Sequence, residues 1–295
     1  MYTPLQVLTV GLTLAGFDLS RSSNPESAWN LRRFKSFYGS SHAAIADLWE
    51  DLMMTPIDAA RIDLDDDCLE TFFVAMFFLK TYSCEHIMAG LYKHSEQAVR
   101  GYCRYYCAKV QALKDQVIVW PEEWADQEKE IFVFTVDGVH CRVKERSHPT
   151  LYRDTKIYSH KFHQAAFVYE LAISIREPRL VHIAGPRDAS VNDLRVFREE
   201  GLMEKVPPGK RGIADSAYGS EGDVISFRNP NDEPEVKKFK ARALARHESF
   251  NNRIKMFGCL AQKWRHDLED HKMVFEAICV IMQYQIDNGS PIFDV

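Results

Sequence analysis

FVFTVDGVH, residues 132–140, is β-branched or aromatic at nearly every position until Asp137 interrupts it. Such a run reads as a buried strand. A carboxylate at the end of that strand is costly if it stays ionised, dry and unpaired. Something nearby is therefore expected to compensate its charge.

Working outward, QAAFVYELAISI (164–175) and RLVHIAG (179–185) read as two further strands, joined by a turn at Arg176, Glu177 and Pro178. Asn192 or Ser190 is placed to cap a helix through VNDLRVFREE. GIADSAYG then gives a short fourth strand that again ends on an aspartate, Asp215. Residues 219–235 are turn-rich and read as a loop. A long helix from about Val236 to Leu260 follows, with another over roughly Lys272–Ile286. This order predicts an α/β layer with a mixed sheet, in a chain that is α+β overall. In such sheets functional groups gather just beyond strand ends, which is where Asp137 and Asp215 are expected.

Upstream the pattern is helical. CLETFFVAMFFLK (68–80) is apolar on nearly every side and predicts a helix buried in its own domain. Ser83 is expected to cap a first short helix, with Glu85 in its first turn, and Ser95 a second. The pair, spanning about 83–113, has helix-turn-helix proportions. Val99, Cys103, Tyr106 and Val110 form its inward stripe, which turns Gln97, Arg100 and Arg104 outward, where a recognition helix carries base and phosphate contacts. A plain helical hairpin shows the same pattern. The opening LQVLTVGLTLAGF is too short to span a bilayer and lacks a basic start, so it is expected to be a packed helix or strand in a soluble, intracellular protein.

The hydrophobic fraction of 46% and charged fraction of 27% suit a globular domain. A net charge of −5 argues mildly against nucleic acid as a partner, but the charge is polarised. Nine acids stand against Arg61 between Asp47 and Glu70, and nine bases against Glu248 alone between Val236 and His266. The basic segment suits a phosphate backbone or is a solvated helix face. Seven scattered cysteines without a CxxC pair indicate neither a disulfide framework nor a zinc ribbon.

Two carboxylates on neighbouring strands repel each other and raise at least one pKa, a penalty that a divalent cation removes. Mg²⁺ binds through one or two carboxylates and completes its shell with water and phosphate oxygens. Glu248 is the candidate third ligand. Phe250, Ile254 and Phe257 define the buried stripe of its helix, and Glu248, Asn251, Asn252 and Lys255 are expected on a different face. Arg246, Arg253 and Lys255 flank Glu248 and are candidate phosphate contacts, although for the helix read alone a salt-bridge partner is the stronger reading of Glu248.

The order TVDGVH, YSHKFHQAAFVYELAIS, GPRDASVNDLRVFRE, GIADSAYGS and RHESFNNRIKMFG resembles the DDE endonuclease domain of Harbinger/PIF-type transposases over about residues 125–288. Residues 66–122 more weakly resemble the helix-turn-helix region that precedes it. The resemblance implies an RNase H-like catalytic domain over 123–295 after a helical domain over 1–122. It implies that Asp137, Asp215 and Glu248 hold Mg²⁺ or Mn²⁺, as two ions, to cut and join DNA. It further implies double-stranded DNA partners (transposon ends and target), a homo-oligomer on DNA, a Myb-like accessory protein and a nuclear location. Asp193 falls in a supporting motif of that family and rivals Asp215 for the second metal position. Ala217 stands where the family usually has glycine, and Asn192 where histidine is frequent. A domesticated, catalytically silent DNA-binding protein is the alternative, and a metal-dependent RNase a third reading; the helix-turn-helix favours duplex DNA over RNA.

Overall fold

The computed structural model describes residues 2–19, 24–55, 68–126, 130–145, 155–219 and 222–295. In chain order its regular elements are α1 (Pro4–Leu14), α2 (Ala28–Tyr38), α3 (His42–Met54), α4 (Leu69–Thr81), α5 (Glu85–Tyr92), α6 (Glu96–Ala112) and α7 (Lys114–Val117). Then come β1 (Phe132–Arg142), β2 (Tyr158–Ser159), β3 (Gln164–Ser174), β4 (Leu180–Asp188), α8 (Asp193–Glu199), α9 (Leu202–Lys205), β5 (Arg211–Ile213) and β6 (Ile225–Ser226). Helices α10 (Pro234–Ile254), α11 (Gly258–Ala261) and α12 (Asp270–Asp287) close the chain. One compact unit takes residues 1–117, 254–262 and 269–291; the other takes 118–253, 263–268 and 292–295. Among the described residues no helix is long and apolar enough to cross a membrane.

The first unit is helical. The opening apolar run becomes a helix because Thr3 and Gln6 form a reciprocal capping box ahead of Pro4. Helix α4 is buried along nearly its whole length, as its composition predicts, and meets aromatic rings on several sides, with Tyr38 and Phe73 centroids 4.4 Å apart and Phe72 and Tyr106 5.3 Å apart. Ser95 caps α6 by accepting from the Ala98 N–H at 3.1 Å. Ser83 does not cap α5. Cys84 takes that place without a side-chain bond, while Ser83 Oγ is hydrogen-bonded to Thr81 Oγ1. Helix α12, expected with the residues of 123–295, packs against α3 and α6 and so belongs to this first unit.

The second unit is built on a mixed sheet. Its path is β2-β3-β1-β5-β6, with β4 also paired to β3. Strand β3 is antiparallel to β1 and β4, whereas β5 runs parallel to β1 and to β6. Helices cover both faces. Phe134 and Val136 pack with Phe197 of α8 and Tyr218 on one side, and Ile213 packs with Ala243 of α10 on the other.

Three sequence expectations change here. Strand β1 does not end at Asp137 but continues to Arg142, because its pairing with β3 runs unbroken and Asp137 sits opposite Leu171. What ends near Asp137 is the parallel pairing to β5, whose last pair is Thr135 with Ile213. The turn-rich 219–235 segment contains β6, a two-residue strand that exists only through its pairing to β5. The long helix stops at Ile254, and extended backbone at Phe257 starts α11. At the start of α11 Gly258 packs closely on α4, where a β-carbon would lie 2.9 Å from the Lys80 carbonyl oxygen.

Candidate functional site

Helix α10 lies along the face of β1 that carries Thr135 and Asp137. Residues two apart on a strand and four apart on a helix are both separated by about 6–7 Å, so the two elements can pair side chain to side chain. Thr135 Oγ1 shares a 2.8 Å hydrogen bond with His247 Nδ1, and one helical turn later Asn251 Nδ2 donates to Asp137 Oδ2 at 2.8 Å. The other carboxylate oxygen of Asp137 accepts from the Gly138 N–H at 2.9 Å. Burial pushes the Asp137 carboxyl up to about 6; the Gly138 N–H opposes that shift, while Asp193 and Asp215 add to it.

Asp215 follows β5 by two residues, as Asp137 follows the last parallel pair by two, so the chain register brings them to the same end of adjacent strands. It is exposed, and its Oδ1 accepts from the Ala217 N–H at 2.8 Å to open a short 3₁₀ turn. Asp193 begins α8, capped by Asn192 as expected, with Asn192 Oδ1 accepting from the Arg195 N–H at 2.9 Å. Burial raises the Asp193 carboxyl, and Asp215 raises it further. Asp193 approaches from the α8 side, over the bare backbone of Gly138, where a β-carbon would overlap its carboxylate. Asp137 and Asp193 thus reach β1 from opposite faces.

Gly138→Ala is expected to destabilise the chain by about 1–3 kcal/mol through this overlap, and Asp193→Ala in the same chain to restore most of the loss. Thermal unfolding measures both; an unchanged melting temperature for Gly138→Ala would contradict the close approach.

Glu248 is exposed and makes no ion pair with any described residue. Its position is set by its neighbours on α10. Leu244, Glu248 and Asn251 follow at i, i+4 and i+7, one stripe of the helix. Leu244 lines a cavity together with Asp215, and Asn251 holds Asp137. Glu248 therefore lies on that stripe between Leu244, which shares a cavity wall with Asp215, and Asn251, which is bonded to Asp137. Among the described residues, however, no three His, Cys, Asp or Glu side chains are already gathered as metal ligands.

The donor set nonetheless suits a hard cation. It is all oxygen, it concentrates negative charge, and Asn251 Oδ1 is buried beside Asp137 with no partner. Asn251 was expected with Glu248 on a face other than the Phe250–Ile254 stripe; it shares a stripe with Glu248 but is buried, because α10 buries more than the Phe250–Ile254 stripe.

The sequence reading also missed Glu170. It is buried in β3 opposite Gly138, accepts from Tyr218 Oη at 3.3 Å, and has its other oxygen unpartnered. Burial pushes its carboxyl up to about 8, opposed by the Tyr218 bond and reinforced by Asp193. The signal was available, since Glu170 is a lone acid inside an apolar strand, as Asp137 is.

The candidate DNA contacts fall into different environments. Arg246 is a correction: it is buried, and its guanidinium donates to the carbonyls of Ser174, Ile175 and Glu177 at 2.6–2.7 Å. It closes the β3–β4 turn and faces no solvent. Arg253 and Lys255 are half-buried at the end of α10. On α6, Gln97, Arg100 and Arg104 are exposed as expected, with Arg100 held by Glu85 and Arg104 by Asp270 at 3.1 Å.

The family model described as DDE superfamily endonuclease matches residues 136–283, half of the chain. The chain belongs to this family. The matched segment of this DDE superfamily endonuclease opens one residue before Asp137 and takes in Asp193, Asp215 and Glu248. Curated proteins include no match to it. A solved structure, "Crystal structure of a pre-cleavage Mos1 transpososome", aligns over 100% of both chains at 8% identity, and its TM-score of 0.22 is too low to carry any conclusion.

Proposed function

We propose that this DDE superfamily endonuclease is a transposase of the Harbinger/PIF type, and that Asp137, Asp215 and Glu248 are the acids with which it cuts and joins DNA. The observation that carries the reading is the α10 stripe, in which Glu248 lies between Leu244, which lines the same cavity as Asp215, and Asn251, which is bonded to Asp137. The strand order and directions around β1 are those an RNase H-like domain requires, which supports the same reading.

Bound at these carboxylates, one or two Mg²⁺ or Mn²⁺ ions would activate a water or 3′-hydroxyl and stabilise the leaving oxygen. The chain's own part is orientation. Asn251 and the Gly138 N–H fix both oxygens of Asp137, and the Ala217 N–H fixes one oxygen of Asp215 while leaving the other open. Glu248 stays exposed and unpaired, ready to turn toward them. His247 is hydrogen-bonded to Thr135, and burial first and Arg246 second push its pKa down to about 3. Arg253 and Lys255 remain candidate phosphate contacts, whereas Arg246 does not.

In the N-terminal part, α5 and α6 serve as the helix-turn-helix, with Gln97, Arg100 and Arg104 toward duplex DNA. Homo-oligomerisation on DNA, a Myb-like partner and a nuclear location belong to the Harbinger reading and stand or fall with it. Arg100→Ala is expected to weaken DNA binding and to make the salt dependence shallower by about one in log–log slope. An unchanged slope would leave Arg100 as the partner of Glu85 only.

Cleavage of duplex carrying the element's ends, with Mg²⁺, compared between the native chain and Asp215→Asn, tests the function. The native chain is expected to cut and Asp215→Asn to fail. No cutting by a folded, DNA-binding native chain would favour the domesticated alternative, and equal cutting by both would remove Asp215 from the site.

A further inference from the structure

A cavity of about 660 Å³ opens beside Asp215, between the start of α10 and the segment that follows β6. Its walls combine three kinds of group: the acid Asp215, the apolar side chains of Phe227 and Leu244, and the cations Arg228, Lys237 and Lys238. The volume falls within the roughly 300–1,000 Å³ of small-ligand sites, room for one nucleotide and far too little for a duplex. An aromatic ring beside several cations is the combination that takes unpaired nucleotides, the ring stacking on a base and the cations holding the backbone.

The ring is held in place. Lys240 Nζ donates to the Phe227 carbonyl at 3.0 Å and to Asp232 Oδ2 at 2.8 Å, and the Asn229 N–H closes the same loop on Asp232 at 3.1 Å. Lys240 is buried and spent on this loop, while Arg228, Lys237 and Lys238 are exposed and make no ion pair with any described residue. In a chain of net charge −5, three exposed cations around one cavity, of which only Lys237 acts on a nearby described acid (Asp232), favour an anionic ligand there. The helical wall also has a direction. Lys237, Ala241 and Leu244 line the cavity at i, i+4 and i+7, and the next residue of that stripe, at i+11, is Glu248.

We infer that this cavity seats one unpaired nucleotide of the DNA strand next to the phosphate being cut, its base against Phe227 and its backbone against Lys237, Lys238 and Arg228. The inference rests on the reading of Asp215 and Glu248 as the catalytic acids, since Asp215 lines the cavity and Glu248 follows one turn beyond it on the same helix stripe.

The test uses the full chain in EDTA, so that binding is separated from cleavage, with a fluorescent single-stranded oligothymidylate and a blunt duplex as probes. The native chain is expected to bind the single strand. Phe227→Ala should weaken that binding about tenfold, the loss of one stacked base. Lys237→Ala with Lys238→Ala should weaken it to a similar degree and lower the salt slope. Asp215→Asn should bind at least as tightly as the native chain, having lost one negative charge. Phe227→Leu, with thermal unfolding, guards against a folding defect, and the two lysines are exposed and independent of it. Single-strand binding within twofold of native in both the Phe227 and the lysine variants overturns the inference, as does free thymidine triphosphate displacing the strand at equal concentration, which would make the cavity a free-nucleotide site. If the strand binds as expected but Asp215→Asn cuts DNA like the native chain, the catalytic assignment fails and the binding site stands.

Discussion

Asparagine in place of Asp137 is expected to abolish metal-dependent cleavage to the order of a thousandfold or more while making the metal-free protein more stable. The two effects have one origin. Asp137 is held among Asp193 and Asp215 in a partly dry setting, and its carboxyl is pushed up to about 6. A carboxyl raised on folding binds its proton more tightly folded than unfolded. Its ionisation therefore costs stability as pH rises from the ordinary aspartate range to about 6, and the full cost persists above that. For a partly exposed group the cost is on the order of 1–3 kcal/mol. Asparagine keeps the shape, can still face Asn251 after an amide flip, and carries no charge. Thermal unfolding at pH 8 without metal should show the variant melting higher, and addition of Mg²⁺ should raise the melting temperature of the native chain but not of the variant. A variant that melts lower at pH 8 would mean the carboxylate is stabilised by groups other than a cation.

The second large effect is on folding alone. Arg246→Ala should cost about 3 kcal/mol or more, because it strips the buried carbonyls of Ser174 and Ile175 and the half-buried one of Glu177 of their donor and leaves a cavity. Burial pushes the Arg246 pKa down to about 10, which still leaves it charged at neutral pH. Arg246→Lys is not expected to rescue it, since a single ammonium cannot match the planar fork that meets Ser174, Ile175 and Glu177. Urea unfolding measures the loss. Near-native stability with weakened DNA binding would return Arg246 to the phosphate contacts.

Arg246 shows why part of the site was illegible in the sequence. An arginine in a basic helix reads as a surface charge, and only the return of the β3–β4 turn supplies the carbonyls that bury it. Asn251 was hidden for a related reason. The Phe250–Ile254 stripe looks like the whole buried face of α10, but a helix packed along a strand buries a wider arc, and a polar residue enters it only when a partner such as Asp137 waits there. Asp137 and Asp215 drew notice because apolar strands make any carboxylate conspicuous. That rule applied consistently would have found Glu170 as well. The sheet was readable where strands are long and apolar, as in β1 and β3, and unreadable at β6, which owes its existence to a neighbour far along the chain. The length of β1 was also present in the sequence, in the buried alternation of Val139, Cys141 and Val143 beyond Asp137.

The most direct measurement is anomalous diffraction from crystals of the full chain soaked in Mn²⁺. Manganese peaks within coordination distance of the carboxylates of Asp137, Asp215 and Glu248, absent from crystals of Asp137→Asn, are the expected result. Manganese bound to Asp193 and Glu170 without those three, or none at this end of the sheet, would contradict the account.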